Sequence, residues 1–82
     1  MNVKEWDAEL AYIANMTELC IAGEPPKEMN GDIPTALRYC AMQANTARRD
    51  GFPDIAAKIE FFASTAGNYE LDAVLASPSL ED

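Results

Sequence analysis

The chain has 82 residues, enough for one domain, and 49% of them are hydrophobic, ample for a globular core and more than a disordered chain carries. Its formal charge of −8 argues against nucleic acid or an anionic membrane as a direct partner, since an acidic surface repels phosphates. The charge is uneven. Residues 1–32 carry seven acids and two bases, residues 33–66 three acids and four bases, and residues 67–82 four acids and no base.

Asn2 followed by Glu5 has the form of a capping box with asparagine in place of Ser or Thr, and predicts a helix over about 3–22. Its apolar stripe is Val3, Trp6, Leu10, Ile13 and Cys20, interrupted by Thr17. Gly23 ends it and Pro25-Pro26 forbid continuation. Residues 23–32 read as a connecting loop, stiffened at its start by the proline pair, with Met29 solvated and a turn at Asn30-Gly31.

A second helix is predicted over about 33–50. Asp32 is its N-cap, Pro34 sits in its first turn, and Ile33, Leu37, Cys40, Ala44 and Ala47 form its stripe. Arg48 and Arg49 suit the negative end of the helix dipole, and Gly51 suits a left-handed stop. Phe52-Pro53-Asp54 opens a third helix, about 53–66, with Phe52, Ile55, Ile59, Phe62 and Ala66 on one side and Gly67 closing it. So short a turn makes the second and third helices antiparallel neighbours. Asn68 then caps a short fourth helix, about 69–76, ended by Ser77-Pro78, with 78–82 as a frayed acidic tail. The expected fold is all-α, a small bundle of three main helices plus a short C-terminal one.

No signal segment opens the chain, and no apolar run approaches the roughly 20 residues that span a bilayer, so the expected location is a reducing cytoplasm, without membrane insertion. Cys20 and Cys40 both fall on apolar stripes and read as buried thiols; a disulfide or redox switch is the alternative. Two cysteines in a chain with no histidine do not make a zinc site. Without histidine the commonest general base is missing too, no glycine-rich loop precedes a helix, and Asp7, Glu9, Glu18, Glu70 and Asp72 read as solvated helix faces. Neither an enzymatic activity nor a cofactor is expected.

What remains are apolar residues off the core stripes: Tyr12, Met16 and Leu19 on the first helix, Tyr39 and Met42 on the second, and Phe61 on the third. Either they complete the core of helices wrapped on two sides, or they form a surface for a protein partner or for a homodimer. Tyr, Phe, Met and Arg are enriched at interface centres, and Arg38 and Arg48 flank the Tyr39/Met42 patch.

With its RYCAMQANTARRDGFPDIAAKIEFFA hairpin, its acidic charge and no catalytic apparatus or export signal, the chain resembles in style the short accessory proteins of temperate bacteriophages. That resemblance covers the whole chain without a diagnostic motif. It implies a small inhibitor or adaptor that binds and blocks one host protein in the bacterial cytoplasm, such as a pilus assembly ATPase, a quorum-sensing regulator or a CRISPR complex. The leading expectation is therefore a non-catalytic protein-binding module whose contact residues are Tyr12, Met16, Arg38, Tyr39, Met42 and Phe61. The alternative is an acidic DNA mimic that inhibits a nucleic-acid-binding enzyme such as a restriction or CRISPR complex. A permanent subunit of a larger assembly is a third.

Overall fold

Local chemistry sets the helix ends in the computed structural model, which describes the backbone of residues 1–75 and the side chains of residues 1–68. Helix α1 spans Val3–Ile21, α2 Ile33–Arg49 and α3 Pro53–Leu75, and a single 3-10 turn, Lys27–Met29, lies between α1 and α2. No strand occurs among the described residues, and the fold is a small helical bundle.

The capping box forms as the sequence predicts: Glu5 N donates to Asn2 Oδ1 at 2.9 Å and Asn2 N donates to Glu5 Oε1 at 2.8 Å. Asp32 Oδ1 accepts from Thr35 N at 2.8 Å at the start of α2. The ends of α1 and α2 are built alike. Gly23 and Gly51 take φ values of 82° and 92°, which lets Glu24 N reach back to Leu19 O and Phe52 N to Ala47 O, each at 2.8 Å. Orphan carbonyls of both last turns are satisfied in this way.

The third and fourth predicted helices are one. Alpha-helical backbone runs through Gly67 and Asn68 to Leu75, so Gly67 is no stop and Asn68 no cap. A glycine inside a helix costs only about 1 kcal/mol against alanine, a deficit that packing along a long helix outweighs. Gly67 faces α2, where a Cβ added to it would stand 3.7 Å from Leu37 Cδ1. The last residue of the predicted fourth helix, Ala76, and the 78–82 tail lie outside the described residues.

The core is one cluster built from all three helices and the loop. Trp6, Ile13, Met16 and Cys20 come from α1, Ala36, Cys40, Ala44 and Ala47 from α2, and Ile55, Ala56, Ile59 and Ala66 from α3. Five fully buried alanines, on α2 and α3, allow the hairpin helices to approach closely, and α1 closes the bundle against both.

Three expectations about burial are corrected. Val3 is 54% exposed, because the bundle ends one turn further along at Trp6. Met29 is buried: Pro26 O accepts from both Met29 N and Gly31 N, and this closed loop turns the side chain into the core. Thr17 interrupts nothing, since it is buried with its hydroxyl donating to Ile13 O at 2.9 Å and within 3.0 Å of Ala14 O.

Candidate interaction surface

The six residues expected at a partner surface do not share one face. Met16 is 1% exposed and belongs to the core, because α1 is covered on two sides and a second apolar row there is needed inside. Arg48 leaves α2 on the α3 side rather than beside Tyr39 and Met42, and pairs there with Glu60 at 2.7 and 2.5 Å. Phe61, 67% exposed, borders a separate hollow of about 260 Å³ between α1 and α3, lined by Ala14, Glu18, Ile21 and Phe62 among others.

Arg38, Tyr39 and Met42 do come together, and Tyr12 supports them. A groove of about 450 Å³ has Glu28 and Met29 of the 3-10 turn on one wall and Thr35, Arg38, Tyr39 and Met42 of α2 on the other. Met42 stands over it 56% exposed. The spacing explains the arrangement, since residues 35, 38, 39 and 42 are three or four apart and occupy adjacent rows of one helix.

The aromatic side of the groove is held from below. Tyr39 donates its hydroxyl hydrogen bond to Glu9 Oε2 of α1, and Gln43 Nε2 donates to the same oxygen at 2.9 Å. The Tyr12 hydroxyl donates to Glu28 Oε2 at 3.0 Å, and the two tyrosine rings meet edge to face with centroids 6.1 Å apart. Burial pushes the Tyr12 phenol up to about 12, helped by the Glu28 carboxylate. Burial and then the Glu9 carboxylate push Tyr39 up as well. Both phenols stay neutral donors at physiological pH, so each ring is locked in place.

Glu9 is thus a half-buried acceptor that ties α1 to α2, not a plain solvated face. Its signal was available: Glu9, Tyr12 and Met16 step by three and then four along one side of α1. Thr35 and Gln43 share the α2 spacing of Arg38 and Tyr39, whereas Glu28 and Met29 carried no comparable signal, since their contact with the site depends on how the loop folds back.

Nothing in the described residues is arranged for metal chemistry: no group of three or more Cys, Asp or Glu side chains stands together. Cys20 and Cys40 are buried thiols, and burial pushes the Cys40 thiol up to about 11. No described helix is long and apolar enough to cross a membrane. No protein-family model, curated protein or solved structure matches the chain.

Proposed function

We propose that this chain is a non-catalytic protein-binding module, a small inhibitor or adaptor that engages its partner through the α2 groove. The observation that carries this reading is Met42, more than half exposed beside a groove whose tyrosines are fixed by hydrogen bonds to Glu9 and Glu28. Preorganised aromatic side chains, methionine and arginine are what interface centres use, because little conformational freedom is lost when they are covered. Tyr39, Met42 and Arg38 are the contact residues, and Tyr12 is a support beneath them. Phe61 belongs to a different face and contributes nothing to this one. The two buried thiols suit a reducing cytoplasm.

The test is affinity capture from bacterial lysate with the unaltered chain, Met42→Asp and Phe61→Asp as parallel baits, at low and high salt. A stoichiometric protein that survives high salt, is lost with Met42→Asp and is kept with Phe61→Asp supports the reading. Loss with Phe61→Asp alone moves the site to the α1–α3 hollow. Recovery confined to low salt, of a nucleic-acid-handling protein, replaces it with acidic mimicry.

A further inference from the structure

The groove carries both halves of an ion pair that it does not make. Arg38 stands on the outer row of α2 and donates to Thr35 Oγ1 over a long 3.4 Å. Glu28 stands on the opposite wall, and its hydrogen-bond donor, Tyr12, is neutral. Among the described residues the ion pairs are those of Met1 with Asp50 and Arg48 with Glu60, so neither Arg38 nor Glu28 makes an ion pair, although the Asp32 carboxylate lies within electrostatic reach of Arg38. Between them lie Met42, Tyr39 and Met29.

An isologous contact requires this pattern. Two copies related by a two-fold axis present the same patch to each other, so an attractive patch must contain its own complement. Charge distribution favours the same helix. α2 holds three arginines and no acid, whereas α1 holds four acids and one base in a chain of net charge −8. Of these arginines Arg48 is engaged by Glu60 on the α3 side, and Arg38 is the base that lines the groove and faces a second acidic copy. A chain this small also buries only about 60 to 65% of its unfolded surface, a size at which association commonly supplements the core.

We propose that the groove is filled by a second copy of this chain, the Arg38–Met42 ridge of each copy seated in the groove of the other, with Arg38 set against the partner's Glu28. The inference rests on reading the groove as a protein-binding face, and a dimer closed in this way holds that face covered until another protein displaces one copy.

Sedimentation velocity of the full chain, from micromolar to millimolar concentration, tests it. The unaltered chain is expected to show a concentration-dependent monomer–dimer equilibrium. Glu28→Lys and Arg38→Glu should each weaken it at least about tenfold, because each sets like charges opposite one another. The double variant should recover association to within about threefold, and an equimolar mixture of the two single variants should associate better than either alone. Such rescue occurs only if one chain supplies both charges. Met42→Asp, whose side chain lies outside the core, should abolish the dimer with helicity by circular dichroism unchanged. A chain that is monomeric throughout, or a double variant as weak as the singles, overturns the proposal. If capture of another protein in the same state still depends on Met42, the dimer falls and the binding face stands. A rescued dimer with no captured protein leaves self-association as the use of the groove.

Discussion

Trp6 donates its indole N–H to Asp50 Oδ2 at 3.1 Å across 44 residues of chain, tying the start of α1 to the turn between α2 and α3. The Met1 ammonium reaches the same oxygen at 2.9 Å. This contact closes one end of the bundle, and the carboxylate form of Asp50 is what makes it.

Three carboxyls are held below their ordinary values: Asp50 by the Met1 ammonium and Trp6, Asp32 by the Thr35 hydroxyl and amide, and Glu60 by Arg48. In the unfolded chain these groups take up protons at higher pH than in the folded one. Their contribution is therefore present above about pH 4 to 5 and is lost as pH falls through the lower, folded values. The melting temperature should be level near neutrality and drop below about pH 4. Asp50→Asn should make that acid limb shallower, as thermal melts followed by circular dichroism across this range will read. An acid limb unchanged by Asp50→Asn would remove Asp50 from the account.

Met16 and Met42 form a matched pair for separating core from surface. Met16 is 1% exposed and Met42 56%. Met16→Ala should cost about 2 to 5 kcal/mol in urea unfolding, the usual range for a buried large-to-small change. Met42→Ala should stay within about 0.5 kcal/mol when unfolding is followed at a concentration low enough to keep the chain monomeric. Equal effects would mean that Met42 is covered or that Met16 is not.

These methionines also mark how far the fold could be read from the sequence. The caps at Asn2, Asp32, Gly23 and Gly51 were legible because each depends on residues within a few positions. The stripes of α2 and most of α1 were legible because burial of one face leaves a periodic trace. Met16 was misplaced because a single stripe assumes a helix covered on one side, and α1 is covered on two. Arg48 was misplaced for a related reason: its acceptor, Glu60, is fixed by how the hairpin closes and not by neighbours along α2. Of the site, Arg38, Tyr39 and Met42 were legible as off-stripe residues on one helix. The opposite wall, Glu28 and Met29, was not, since a loop that folds back has no period.

Gly67 offers a direct check on the continuity of α3. The position is helical, without a positive φ, and an added Cβ would make ordinary contact with Leu37 Cδ1 at 3.7 Å. Gly67→Ala should therefore stabilise the chain by up to about 1 kcal/mol through the lower entropy of the unfolded state. Gly51→Ala is the contrasting control, because φ there is 92° and an L side chain is strained in that region. It should destabilise by about 1 to 2 kcal/mol. Destabilisation by Gly67→Ala, measured by urea unfolding, would place a helix end at that residue after all.

Alkaline titration of the tyrosines reads the support beneath the groove. Tyr12 is pushed up to about 12, first by burial and then by Glu28, and Tyr39 is pushed up by burial and then by Glu9. The ordinary value is 10.0 for both. A raised folded value means that the unfolded chain loses these protons first. The stabilisation is complete below about pH 10 and is lost as pH rises through the folded values. Phenolate absorbance of the native protein should thus lag behind that of the protein in denaturant, with Tyr12 and Tyr39 ionising late. Glu9→Gln removes the charge that opposes the Tyr39 phenolate while leaving the ring buried, so the Tyr39 step should move down toward 10 without reaching it. The Tyr12 step should move less, because Glu28 remains its hydrogen-bond acceptor. A single native transition near the ordinary value, or one indifferent to Glu9→Gln, would mean that the two rings are not held as a fixed floor for the groove.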